Sequence, residues 1–163
     1  MLGPHPRPLS QRERGQYLGA NLMALLTSEA GKRRLLTVEI PVMDRYNAER
    51  ADDFKIKVVR HGKSLLLRYR LKPMHNVYEL ETRLPSGYPT LPPETRVLTP
   101  LALCPHLLDG QLLCMWRQGS TRESSRWDPA KFTCVFAVQA AWRWLACYEI
   151  WHETGDWPLP EAK

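Results

Sequence analysis

The sequence predicts an α+β fold, with an N-terminal helix, a four-stranded antiparallel meander and C-terminal helices packed on the face of the sheet. Three observations predict it. Strand-like runs separated by short turns fill much of the region before residue 100, a proline-rich and aperiodic stretch follows, and a long apolar segment with helical spacing lies near the end. At 163 residues the chain has the length of one domain, enough for a single core and too short for two of ordinary size.

Leu9 to Ala30 reads as the N-terminal helix: Ser10 can cap it, Tyr17, Leu18, Leu22, Leu25 and Leu26 gather on one side, and Gly31 is placed to end it. Leu35 to Val42 has the β-branched and apolar content of a strand, and the polar run Asp44 to Asp53 reads as its exit loop. Phe54 to Arg60 and Ser64 to Leu71 flank His61-Gly62-Lys63, a short turn whose glycine can take a positive φ, so the two runs form a hairpin. Asn76 to Leu84, with Val77, Tyr78, Leu80 and Thr82, continues the meander.

From Leu84 the character changes. LPSGYPTLPPETRVLTP holds five prolines, which cannot donate to a ladder, so this stretch reads as rigid loop around one short strand near Thr95 to Leu98. Leu101 to Arg126 has neither helical nor strand period and carries Cys104, His106, Asp109, Gly110 and Cys114; irregular backbone of this kind often carries function. Pro129 to His152 places Phe132, Phe136, Ala140, Trp144 and Tyr148 at spacing four, the wide apolar face of a helix packed on the sheet.

Composition narrows the setting. Hydrophobic residues at 44% and charged residues at 25% exclude a disordered or fibrous chain. Phe132 to Trp151 contains Gln139, Arg143 and Glu149, and an arginine near a bilayer centre costs roughly 2.5–3.5 kcal/mol, so this is a core helix and no membrane partner is expected. The opening MLGPHPRPLSQRERG lacks the basic stub and apolar run of a signal peptide, and Cys104, Cys114, Cys134 and Cys147 have no regular spacing. Both point to free thiols in a reducing cytoplasm. The formal charge of +6 favours acidic partners. Arg7, Arg12, Arg14, Lys32, Arg33 and Arg34 thicken near the start, but scattered surface arginines are usually a solvated face, and nucleic acid is not the expected partner.

The residues that can carry chemistry converge on Cys114. It follows the turn Asp109-Gly110 and precedes a polar segment with Arg117, Arg122 and Arg126, and nearby positive charge favours the reactive thiolate. His106 lies eight positions upstream, where a side-chain donor can face an oxyanion forming at a sulfur-bound carbon. On these grounds alone a packed cysteine competes with a nucleophile, and a hydrogen-bonded loop histidine with a site residue. Cys104 reads as structural, and Asp109 as a turn former before Gly110. Cys104, His106 and Cys114 lack the fourth ligand and close pairs of a metal site, so no metal is expected.

The order of motifs adds to this. VYELETRLPSGYPTLPPETRVLTP, then CPHLLDGQLLCM, then Trp127-Asp128-Pro129 and a long helix resemble the core of ubiquitin-conjugating enzymes. In that family a YPxxPP segment, a strand, a His-Pro-Asn loop, a catalytic cysteine beyond a glycine turn and a Trp-x-Pro motif follow one another. Here Tyr88-Pro89 and Pro92-Pro93 match the first, Cys104-Pro105-His106 stands at the His-Pro-Asn loop, and His106 and Cys114 keep the asparagine-to-cysteine separation. AAWRWLACYEIWHETGDWPLPE and His106-Leu-Leu-Asp109-Gly110 further resemble the bacterial branch found in CBASS antiphage operons.

The resemblance covers roughly Phe54 to the end and implies the ubiquitin-conjugating fold and a thioester on Cys114, with His106 in the place of the family's asparagine. Asp109, Trp127 and Asp128 are then acceptor-side or loop-supporting residues. It implies a protein donor with a C-terminal carboxylate, either a cyclic-oligonucleotide synthase (CD-NTase) or a ubiquitin-like protein, and a protein or small acceptor nucleophile. No organic cofactor is needed. Since no Gly-rich phosphate loop is present, a separate activating activity, or a donor already activated, is implied. With Glu161-Ala162-Lys163 at its end and no glycine there, the chain is expected to be the carrier and not the donor. Two rivals stay open: a non-catalytic binding module of the same fold, and a cysteine hydrolase using His106 or His152 as base.

Overall fold

A computed structural model describes residues 24–116 and 126–159. Most of the expected N-terminal helix, from Leu9 on, therefore lies outside the described residues. Where the description begins, a turn at Ala24 leads to Ser28, whose hydroxyl caps helix α1 (Glu29–Arg34) by accepting from the Gly31 N–H at 2.9 Å. Gly31 does not stop a helix; it lies inside α1. A Cβ there would fall 2.1 Å from the Ala24 carbonyl oxygen, so glycine is needed for close approach.

The expectation of a strand at Leu35 to Val42 is overturned. Leu35–Glu39 is a π-helical turn running directly into α2 (Ile40–Ala48), which also takes up the first half of the expected exit loop. The physical reason is twofold. Glu39, Met43 and Tyr46 are buried while Leu36 and Thr37 face solvent, a helical spacing that outweighs β-branched content. Pro41 has no N–H to return to the preceding turn, and the wider turn before it is closed by Ile40 N–H donating to the Leu35 carbonyl.

The sheet has six strands among the described residues rather than four: β1 (Lys57–His61), β2 (Ser64–Leu71), β3 (Tyr78–Leu84), β4 (Glu94–Val97), β5 (Leu107–Leu108) and β6 (Leu112–Leu113), in the order β1-β2-β3-β4-β6-β5. All neighbours are antiparallel, so β1 to β4 form a meander; it lacks the expected first strand at Leu35 to Val42 and takes as its fourth the short strand expected within the proline-rich loop. On the inner face a chain of buried hydroxyls crosses three strands, Tyr69 to Thr82 at 2.6 Å and Thr82 to Thr95 at 2.8 Å, which satisfies polar groups that burial would otherwise penalise. On the outer face Arg68–Glu81 and Arg70–Glu79 pair across strands.

One C-terminal helix, α3 (Cys134–Thr154), is described where several were expected. Val138, Ala141 and Leu145 are fully buried and join Leu67, Leu80, Leu84 and Val97 of the sheet in one core. Trp144 and Tyr148 belong to that face, whereas Trp142 is 44% exposed. No described helix is long and apolar enough to cross a membrane.

Two buried glutamates, which the sequence reading did not single out, lock these layers. Glu39, fully buried, accepts from Arg34 Nε (2.8 Å), Tyr88 Oη (2.7 Å) and the Cys134 N–H (2.9 Å). Arg34 also donates to the Pro129 and Phe132 carbonyls, so it is an internal brace and not part of a basic surface stripe. Glu149 of α3 accepts the His75 and Asn76 N–H groups and holds the chain ahead of β3 against the helix.

Candidate active site

Beyond β4 the chain doubles back as a short hairpin, β5 and β6, and Cys114 is the first residue after it. The hairpin turns at Asp109, Gly110 and Gln111. Gly110 has φ 66°, where a side chain is strained, which accounts for the glycine. Asp109 is exposed in that turn.

Among the described residues, His106 (φ 63°) and Gln111 (φ 60°) are the only non-glycine residues in the left-handed region, and both lie in the short stretch leading to the cysteine. Each such residue costs roughly 1–2 kcal/mol, so neighbouring contacts must hold it. At Gln111, the side-chain oxygen accepts the Leu101 N–H at 2.7 Å and ties the hairpin to the loop that follows β4. His106 directs its carbonyl to the Cys114 N–H at 2.9 Å. The eight-residue separation is thus closed by a backbone hydrogen bond. The His106 ring packs against Trp157, centroids 5.0 Å apart.

On the other side of Cys114, Trp116 Nε1 donates to the Pro93 carbonyl at 3.1 Å, and Trp127 Nε1 donates to the Pro89 carbonyl at 2.6 Å. The two indoles meet edge-on at 5.3 Å, and Tyr88, Phe132 and Phe136 complete the cluster. Aromatic pairs of this kind contribute about 0.5–1.5 kcal/mol each beyond area burial. The proline-rich segment therefore serves as a rack of carbonyl acceptors for the tryptophans on both sides of positions 117–125. Those positions, with Arg117 and Arg122, lie outside the described residues.

Asp128 forms a turn: its carboxylate accepts the Ala130 N–H at 2.9 Å and lies 3.7 Å from Lys131 Nζ, while its carbonyl accepts the Phe132 N–H at 2.9 Å. That turn delivers Thr133, which caps α3. Cys134 and Cys147 are buried, Cys104 and Cys114 half-buried. Burial raises the thiol pKa of Cys104, Cys134 and Cys147 above the ordinary range, most strongly for Cys134, where the Glu39 charge adds to it. No cluster of three or more metal-ligating side chains occurs among the described residues.

The structure brings Cys114 and His106 together through the main chain. It connects Trp127 to the cysteine segment through Trp116, and leaves Asp109 and Asp128 in separate turns. Sequence reasoning missed Gln111, Trp116 and Trp157. The only signal for them was position, two aromatics and an amide close in sequence to elements already singled out.

A search of curated proteins finds no match. A family profile described as type II CBASS E2 protein matches residues 45–163, from within α2 through the cysteine hairpin to the end. The chain accordingly belongs to the type II CBASS E2 proteins, an E2-like family of antiphage defence.

Proposed function

We propose that the chain has the ubiquitin-conjugating fold and is a conjugating-type acyl transferase whose Cys114 carries the C-terminus of a partner protein as a thioester. The supporting observation is the placement of Cys114: half-buried, just past a braced hairpin, its N–H bonded to His106 and its segment pinned to Pro93 by Trp116. Such bracing holds a nucleophile in one geometry, which lowers the entropic part of the barrier.

In the proposed cycle the Cys114 thiol gives its proton to solvent and the sulfur attacks an activated C-terminal carbonyl. A carbon–sulfur bond forms, and the bond to the activating group breaks as that group leaves with its electron pair. An acceptor amine or thiol then attacks the same carbon and gives its proton to solvent, and the carbon–sulfur bond breaks with its electron pair returning to sulfur, which restores the thiolate. His106 takes the loop-ordering part of the family asparagine's role through its carbonyl. Trp127 and Asp128 support the loop, and Asp109 faces the acceptor side.

Within CBASS the donor we favour is the CD-NTase; a ubiquitin-like donor is the alternative outcome of the test. The chain is incubated with each donor and the activating activity of its operon, and intact mass is read with and without reductant. An adduct of donor mass, released by thiol and absent from Cys114→Ala, is expected. Turnover of donor without an adduct would favour a hydrolase, and neither adduct nor turnover a binding module.

A further inference from the structure

After α3 the chain reverses. Gly155 (φ 81°) donates its N–H to the Trp151 carbonyl at 2.7 Å, and the Asp156 N–H reaches Thr154 Oγ1 at 3.2 Å. The reversal sets Trp157 back against the fold, where its indole meets Trp144 edge-on at 5.3 Å and the His106 imidazole at 5.0 Å. Trp157 is half-buried and packs on the core.

His106 sits in the left-handed region at φ 63°, a conformation that an L side chain resists. That same conformation aims its carbonyl at the Cys114 N–H. Among the described residues three contacts hold the strained turn: the indole on its ring, the Cys114 N–H on its carbonyl, and the Leu107 N–H donating across the turn to the Cys104 carbonyl at 3.4 Å. The indole is the one side-chain contact of the three; removing it leaves two main-chain hydrogen bonds, one of them long.

We propose that Trp157 is a positioning residue of the Cys114 site: by packing on the His106 ring it maintains the left-handed turn whose carbonyl fixes the cysteine backbone. The C-terminal reversal is thereby part of the site. The inference deepens the thioester reading and rests on it for its functional meaning, while its geometry can be tested without any donor.

The experiment compares the wild type with Trp157→Ala, Trp157→Leu, which keeps apolar bulk over Trp144, and Trp157→Phe, which keeps a ring. Amide exchange at Cys114 is expected to quicken about tenfold in the Ala and Leu variants, the scale of one aromatic pair, and to return to near wild type in Phe. The ring-current shift of the His106 Hε1 resonance is lost and regained in parallel. Iodoacetamide alkylation of Cys114 changes in the same two variants. Exchange at the Cys134 amide, held by Glu39, stays unchanged and reports an intact fold. In a His106→Gly background, where the left-handed turn is free of strain, Trp157→Leu has no effect on Cys114 exchange. Unchanged Cys114 exchange in the Leu variant, or equal acceleration at Cys134, overturns the proposal. Failure of the thioester reading shows separately, as a missing adduct in the wild type with these exchange effects intact.

Discussion

Replacing Glu39 tests whether one carboxylate joins three segments. In Glu39→Ala, Arg34 Nε, the Tyr88 hydroxyl and the Cys134 N–H lose their shared acceptor at once. Tyr88 and Cys134 are fully buried and the Arg34 side chain is 16% exposed, so water reaches only the last of them readily. Removing one member of a buried pair costs about 3–5 kcal/mol, against a total stability of about 5–15 kcal/mol for ordinary proteins. For a chain of this size that lowers Tm by about 6–20 °C. Glu39→Gln is the sharper probe. Arg34 and Tyr88 share one carboxylate oxygen and the Cys134 N–H uses the other, so either orientation of the amide turns its NH₂ toward a group that can only donate. One facing donor pair costs about 1–3 kcal/mol, placing Gln between Ala and wild type. Urea unfolding followed by tryptophan fluorescence measures both. If Glu39→Ala and Glu39→Gln both lie within about 0.5 kcal/mol of wild type, the brace is not what holds these segments.

Two further outcomes follow from other buried groups. Burial raises the Cys134 thiol and the Tyr69, Tyr78 and Tyr88 phenols, so the folded chain retains protons that the unfolded chain releases. Their contribution is full below about pH 8.5 and declines as pH climbs toward the folded-state values, so the urea midpoint should fall between about pH 8.5 and 10.5. A flat midpoint across that interval would contradict the sign. Glu149→Ala strips the acceptor from the His75 and Asn76 amides; their hydrogen exchange should quicken selectively, with a stability loss of about 1–3 kcal/mol in urea.

The strands were legible where alternation and turn chemistry agreed. Ser64 to Leu71 was read to the residue, because Gly62 (φ 60°) provides the turn and alternate inner positions are buried. Leu35 to Val42 failed because its composition suits a strand, while its true signal, the helical spacing of Glu39, Met43 and Tyr46, runs past the expected end. Gly31 misled for a related reason: close approach and helix termination both call for glycine, and only the packing partner distinguishes them. At the site, the Cys114–His106 relation was visible as spacing and as resemblance. The means was not, since a main-chain hydrogen bond and a left-handed histidine leave no mark in composition. Nor does a buried glutamate announce its partners when they stand about ninety-five residues away, as Cys134 does from Glu39.

The most direct measurement of the central claim is the chemical lability of an adduct in Cys114→Ser. With oxygen in place of sulfur, the donor should remain attached through reductant and be released by mild hydroxide, the behaviour of an oxyester, at the peptide containing position 114. An adduct that stays thiol-labile in that variant, or that maps to Cys104 or another position, would mean that Cys114 is not the carrier.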